Sequence, residues 1–408
     1  MTRPNCRLCG ATLEHVMADL GVSPLANRLL LPSELNRPEV FYPLTVYYCS
    51  RCHLAQLEEY ESPEHIFSDY PYLSSVSRSW LEHCDAFAGT MIERLHLDGD
   101  SLVIEVASND GGLLRCFVDR GVAVLGVEPA GNVAARAIES GIPTEAAFFG
   151  TATAEEITAG RKADLLVANN VLAHVPDLND FVAGLRIGLA PDGILSIEFP
   201  HLLRLLEERQ FDTIYHEHFS YFSLLAAREA LSRHGLTVID VEHLPTHGGS
   251  LRVIAMHEGG EPEGPRVGET LEREVAAGLK DPATYERFNE TIRGEKRSIV
   301  SRVVGLKEAG NSIAGYGAPA KGNTLLNYCG LSTEVIDYTV DASPFKQGRY
   351  LPGSRIPVLE PGAIEETKPD LIFILPWNLK AEIMTQLGHC REWGARFLVR
   401  TPDLQVLA

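Results

Sequence analysis

Tyr215-His216-Glu217-His218 places a phenol, two imidazoles and a carboxylate within four residues. Such groups can take a proton from one atom and donate a hydrogen bond to another. The string is not H-E-x-x-H, so it is not a metalloprotease zinc helix. In an extended segment His216 and His218 would share a face and Glu217 would point away; a turn or helix would change that assignment. A lone histidine is more often a hydrogen-bonded structural group than a catalyst. The clustering favours a chemical role for His218, while Tyr221 and Phe222 read as packing. Two cysteine pairs form the second group, Cys6-x-x-Cys9 and Cys49-x-x-Cys52. Each C-x-x-C turn can aim two thiolates at one ion, and two turns complete a tetrahedron. Gly10 follows the first pair, where a knuckle turn benefits from a residue that tolerates positive φ. Four thiolates leave no open position, so the expected zinc is structural, and it closes a long loop between the pairs. The other four cysteines, Cys84, Cys116, Cys329 and Cys390, lie among apolar residues and read as core thiols.

The elements that must carry these groups alternate. Short apolar runs at 102–107, 122–127, 164–168 and 194–199 are separated by helical stretches at 113–120, 133–140 and 181–189. This alternation implies a parallel, doubly wound sheet whose ligand lies at the carboxyl ends of the strands. A helix over 225–234 and strands over 236–241 and 251–256 complete it, the last two forming an antiparallel pair like that ending class I methyltransferases. At the end of the first strand come Glu105 and the turn Ala107-Ser108-Asn109-Asp110-Gly111-Gly112. The turn lacks the first glycine of G-x-G-x-x-G and so lacks a pyrophosphate cradle. A nucleoside without phosphates, such as S-adenosylmethionine (SAM), fits it better than a nicotinamide dinucleotide. Glu128-Pro129 ends the second strand, where a carboxylate can accept ribose hydroxyls, and Asn169-Asn170 ends the third. His174 follows that strand, where methyltransferase active-site residues commonly lie.

Residues 264–310 read as a charged helical arm, with helices over 270–279 and 285–309. A second, smaller α/β unit follows, with strands over 312–315, 335–340, 371–376 and 396–399. Its turn, Tyr316-Gly317-Ala318-Pro319-Ala320-Lys321-Gly322-Asn323, precedes a helix N-terminus, a setting that favours a phosphate. Lys321 adds positive charge, and Lys346 and Arg349 stand in the loop after Asp341. Gly315-x-Gly317 with Asp341 imitates a nicotinamide site, but the third glycine comes late and Pro319 interrupts the turn.

Composition bounds these readings. At roughly 150 residues per domain, 408 residues suggest two or three domains. Apolar residues make up 45% and charged residues 22%, as in a folded globular chain. The 55 acidic against 36 basic residues give a formal charge of −19, which argues against nucleic acid or anionic lipid as a partner. No run approaches the roughly 18 apolar residues of a membrane helix, and no signal-peptide core is evident, so a cytoplasmic location with reduced thiols is expected.

Several stretches together carry a family resemblance: Cys6-x-x-Cys9, Glu105-Val-Ala-Ser-Asn-Asp-Gly111, Asn170-Val-Leu-Ala-His174-Val, Asp212-Thr-Ile-Tyr215-His216-Glu217-His218-Phe219-Ser220-Tyr221-Phe222, and Gly315-Tyr-Gly317-Ala-Pro-Ala-Lys321-Gly-Asn323. The chain resembles, over nearly its whole length, the SAM-dependent sugar C-methyltransferases of deoxysugar biosynthesis, such as the C3-methylating enzymes of the tetronitrose and mycarose pathways. The resemblance implies an α/β protein with an N-terminal zinc-binding domain (1–75), a central class I SAM methyltransferase domain (76–262), and a helical arm plus a nucleotide-sugar-binding domain (263–408). It implies a thymidine-diphosphate (dTDP) 4-keto-deoxysugar as partner and methylation of the carbon beside the ketone; a monomer is expected. C–C bond formation from SAM needs a carbanion equivalent, reached by removing a proton α to the ketone. The resemblance makes His218 the base, with Glu217 orienting or charging it, Tyr215 near the sugar, and His174 at the enolate oxygen or sugar. SAM would be held by Glu105, Ala107, Ser108, Asn109, Asp110, Gly111, Glu128, Pro129, Asn169 and Asn170. The sugar nucleotide would be held by Tyr72, Tyr316, Gly317, Ala318, Lys321, Asn323, Asp341, Lys346 and Arg349. The chain departs from the family at Val76, where an aromatic residue is expected; Tyr70 or Tyr72 would cover that role. The competing readings are a C5-methyltransferase, an inactive zinc and nucleotide-sugar binder, and an NAD-dependent oxidoreductase.

Overall fold

The structure, a computed structural model, describes residues 3–67, 73–76 and 78–408. Tyr70 and Tyr72 lie outside them. The chain forms two compact units, each drawn from three segments. The first comprises Met1–Leu13, Cys49–His201 and Phe219–Lys280, and the second Glu14–Tyr48, Leu202–His218 and Asp281–Ala408.

In the first unit a seven-stranded sheet is built from β1 (Leu102–Val106), β2 (Ala123–Val127), β3 (Thr144–Glu145), β4 (Ala163–Asn169), β5 (Leu189–Pro200), β6 (Leu236–Leu244) and β7 (Ser250–His257). The order is β6-β7-β5-β4-β1-β2-β3. Strands β3, β2, β1, β4 and β5 run parallel, and β7 is antiparallel to both of its neighbours. This is the class I methyltransferase arrangement expected from the alternation. Strands β1 and β4 are buried almost throughout, because helices cover both faces of such a sheet. The helix Arg78–Leu95 contributes Cys84, Phe87, Ala88 and Met91 to a core that includes Val103, Leu113, Phe117 and Val167. That helix, strand β3 and the helix Thr151–Ile157 were not singled out by periodicity. A short antiparallel ladder pairs Ala55 with Tyr221 and Gln56 with Ser220.

The second unit contains an antiparallel ladder of His15–Ser23 and Tyr42–Tyr48. The 27-residue helix Pro282–Glu308 packs on it, capped by Asp281 accepting from the Ala283 amide. The Tyr48 and Tyr285 rings stack at 3.9 Å, and the Asp19 amide donates to Asn289. A six-stranded sheet follows, made of β8 (Ile313–Tyr316), β9 (Tyr338–Val340), β10 (Val358–Leu359), β11 (Leu371–Ile374), β12 (Arg396–Arg400) and β13 (Leu404–Leu407). The order is β10-β9-β8-β11-β12-β13, parallel except for β13. The expected strand over 335–340 is shorter because the Val335 and Ile336 amides both turn back to the Ser332 carbonyl. Among the described residues no helix is long and apolar enough to cross a membrane.

Candidate active site

The four cysteines of the two knuckles converge, with all four sulfurs within 4.8 Å of one another. Cys6 Sγ lies 3.4 Å from Cys52 Sγ, and Cys9 Sγ lies 3.5 Å from Cys49 Sγ. The two turns match: the Gly10 amide donates to the Cys6 carbonyl and the His53 amide to the Cys49 carbonyl. Both residues take positive φ, 72° at Gly10 and 64° at His53. A tetrahedral zinc with S–Zn distances of about 2.3 Å fits this donor set. Gln56 Nε2 donates to Cys6 Sγ over 3.1 Å, which steadies a thiolate.

The turn after β1 is a run of tight backbone, with φ of 56° at Ala107, 51° at Asn109 and 81° at Gly111. A Cβ on Gly111 would come within 2.9 Å of the Ile142 side chain, so only glycine fits there. Glu128 is buried, and its two oxygens accept from the Asn109 and Ala130 amides, each at 2.9 Å. Pro129 is the intervening residue. Glu128 therefore shapes the loop as well as offering its remaining lone pairs to a ribose. Asn109 Oδ1 accepts from the Ser74 amide, and Asp110 from the Ser74 hydroxyl and the Ser75 amide. Burial, then Glu128 and Asp110, hold the Glu105 carboxyl well above the usual range. At this end of the sheet the buried Glu105 Oε2, Ser108 Oγ, Asn169 Oδ1 and Asn170 Oδ1 have no hydrogen-bond partner among the described residues. All four follow or end β1 and β4. Buried polar atoms are normally satisfied, so this set fits a polar ligand, and SAM suits it. His174 ends a short 3₁₀ turn, Leu172–His174, beyond β4, and the Phe67 ring meets its imidazole edge-on at 5.5 Å.

Tyr215, His216, Glu217 and His218 belong to the second unit, whereas His174 belongs to the first. The string is a turn, closed by the His218 amide on the Tyr215 carbonyl, so strand alternation does not apply. Tyr215 and His218 pair instead: the Tyr215 hydroxyl lies 2.9 Å from His218 Nε2. His218 Nδ1 lies 3.0 Å from the Thr213 carbonyl. A carbonyl only accepts, so neutral His218 carries its proton on Nδ1 and its lone pair on Nε2, where the tyrosine donates. His216 Nε2 donates to the Pro43 carbonyl at 3.1 Å, and burial lowers its basicity. Both Glu217 oxygens accept from Asn27 Nδ2, at 2.9 and 2.7 Å, and burial pushes the carboxyl up to about 7. The expectation that Glu217 orients His218 meets a different arrangement, because the Thr213 carbonyl engages Nδ1.

The preceding residues anchor this turn. Asp212 is fully buried and accepts from Trp377 Nε1 and from Arg400, each at 2.7 Å. Thr324 Oγ1 donates to the Ile214 carbonyl. The loop after β8 sits beside β11, where the strand order reverses. Gly317 has φ 86°, and a Cβ there would lie 2.7 Å from Pro376. Tyr316 donates its hydroxyl to Gln386. Asp341 accepts from the Ala318 and Ser343 amides, and Lys346 donates to the Ala318 carbonyl, so both brace the loop. This use of Asp341 differs from the ribose-binding acid of a nicotinamide site. Asn323 Nδ2 donates to the Ala26 carbonyl, while its buried Oδ1 has no partner among the described residues. Lys321 lies over the Trp377 ring and bonds Asn378, and burial pulls its ammonium down to about 8. Arg349 stands in the adjoining turn, its amide bonded to the Lys346 carbonyl.

Comparison with known proteins matches three family models in order. Residues 6–67 match a zinc binding domain, residues 80–241 a methyltransferase domain, and residues 245–402 a C-methyltransferase C-terminal domain. The C-methyltransferase NovU of Streptomyces niveus is 38% identical over 408 residues, covering 99% of this chain and 96% of that protein. Among solved structures, magnesium protoporphyrin IX methyltransferase of Synechocystis with bound SAM is 15% identical, covering 45% of this chain and 82% of that one, with a TM-score of 0.35. A sarcosine dimethylglycine methyltransferase of Galdieria sulphuraria is 16% identical over 53% of this chain and 83% of that one, with the same TM-score of 0.35. The full-length match and the ordered domains establish that the chain belongs to the SAM-dependent C-methyltransferases.

Proposed function

We propose that the protein methylates C3 of a dTDP-linked 4-keto-deoxysugar, with His218 as the base that forms the enolate. The observation that carries this reading is the tautomer imposed on His218. The Thr213 carbonyl holds Nδ1–H, so the basic lone pair is fixed on Nε2. Tyr215 holds that lone pair until substrate displaces it, and its hydroxyl then remains beside the sugar. Bound SAM supplies an electrophilic methyl carbon. The chain's own task is to move the α-proton to Nε2 while the electron pair passes to the carbonyl oxygen, where His174 donates a hydrogen bond. Lys321 and the uncapped N-terminus of the helix Ala320–Cys329 suit the two phosphates.

Mass spectrometry of SAM reactions with a panel of dTDP-4-keto-6-deoxysugars tests this reading. The expected result is a gain of one methyl group, located at C3 by NMR. A methyl at C5 would move the site on the sugar, and no turnover with any 4-keto sugar would remove the proposal.

A further inference from the structure

Arg7 lies inside the first knuckle, between the zinc ligands Cys6 and Cys9, yet its side chain points away from metal chemistry. Its NH1 donates to the Pro176 carbonyl at 3.0 Å, and its NH2 donates to the Leu57 carbonyl. The guanidinium carbon lies 5.5 Å from the centre of the Phe219 ring. The backbone of Arg7 is also held at both ends. Its amide donates to Gln56 Oε1 at 2.9 Å, and its carbonyl accepts from Asn179 Nδ2 at 3.0 Å. The same Gln56 donates to Cys6 Sγ. Arg7 Nε is buried with no hydrogen-bond partner among the described residues, so this cation is held at a cost.

The partners of Arg7 explain what that cost secures. Pro176 is two residues beyond His174. Phe219 is the residue after His218, and its carbonyl accepts from the Leu57 amide at 3.0 Å, on the strand whose last carbonyl Arg7 holds. A guanidinium presents donors in a rigid planar fork, which a single ammonium cannot imitate across two separate carbonyls. We infer that Arg7 is a positioning residue through which the zinc knuckle fixes Pro176, two residues beyond His174, and Phe219, the residue that follows His218. This inference rests on the proposed assignment of those histidines. It gives the closed zinc site a part in turnover: the metal holds the Arg7 backbone, and the Arg7 side chain holds the stretches beside the reacting groups.

The test uses the full-length zinc-loaded protein with Arg7→Ala and Arg7→Lys. Both variants should keep one zinc per chain by elemental analysis and wild-type SAM affinity by calorimetry. In Arg7→Ala, kcat should fall by up to about 100-fold, the scale of a misplaced reacting group, while KM for SAM stays unchanged. Millimolar guanidinium should restore much of that kcat in Arg7→Ala and none in Arg7→Lys. A wild-type kcat in Arg7→Ala overturns the inference. So does a loss of kcat that tracks zinc loss and resists guanidinium, which is what a merely structural arginine would give. If Arg7→Ala does not fold, Arg7→Lys decides: a lowered kcat with zinc retained supports the inference, and a wild-type kcat overturns it. His218→Asn run alongside separates the two readings. Wild-type turnover in that variant removes the proposed base, whereas guanidinium rescue of Arg7→Ala supports positioning whichever group is the base.

Discussion

The turn after β1 and the turn after β8 occupy the same place in two sheets that share the order 3-2-1-4-5 through their parallel strands. Their chemistry is opposite. The first is lined by acids and unsatisfied oxygens: Glu105, Ser108, Asp110 and Glu128, with Asn169 and Asn170 from the neighbouring strand. In the second, Asp341 is consumed by loop amides and by Lys346, and the cation left over is Lys321. A sulfonium-bearing nucleoside suits the first turn and a diphosphate suits the second. Topology fixes where a ligand lies; the charge left over after the loop has satisfied itself decides which ligand.

Glu128→Ala should separate the two turns most strongly. It removes the proposed ribose acceptor and the partner of two loop amides, so SAM affinity should fall by about 1.5–3 kcal/mol by calorimetry, with sugar-nucleotide affinity intact. Loss of sugar affinity with SAM binding preserved would mean the two turns are assigned the wrong way round. Lys321→Met should do the converse, weakening the sugar nucleotide about tenfold, the lower end for a charge-assisted contact. Because burial places the wild-type ammonium near 8, its contribution should be full below that pH and fade above it. The wild-type affinity should therefore decline through pH 8 and the variant's should not. An unchanged pH profile in Lys321→Met would break the assignment.

Glu105→Gln should have the smallest effect. The native carboxyl is held well above its ordinary value of 4.5, so the folded protein keeps a proton that the unfolded chain releases. Stability of the ligand-free protein should thus fall as pH rises from about 4.5 towards the native value. The variant, which mimics the protonated acid, should lose that slope. A retained slope would mean that Glu105 does not carry the raised titration.

The zinc ligands, the Gly10 knuckle and the longer strands of both sheets were legible because each rests on local spacing, whereas the short edge strands β3, β10 and β13 were not. The pairing of Tyr215 with His218 was not, since alternation assumes an extended chain and the segment turns. Nor could spacing show that residues 14–48 and 202–218 join the C-terminal unit. That grouping depends on contacts distant in sequence, such as Asn27 with Glu217 and Asp212 with Trp377 and Arg400. The role of Asp341 was hidden for the same reason: the residue type permits ligand binding, and only the fold shows that loop amides already occupy it. Arg7 gave one faint signal, a large cation inside a four-residue zinc knuckle.

Solvent deuterium exchange α to the ketone tests the histidine base most directly. With S-adenosylhomocysteine filling the SAM site, the wild-type protein should incorporate deuterium into the 4-keto sugar. His218→Asn keeps the Nδ1-side contact but cannot accept the proton, so exchange should fall by about 100-fold or more, with binding of both ligands preserved. In His174→Asn it should persist at a reduced rate. Exchange at the wild-type rate in His218→Asn would contradict the account and pass the role of base to Tyr215 or His216.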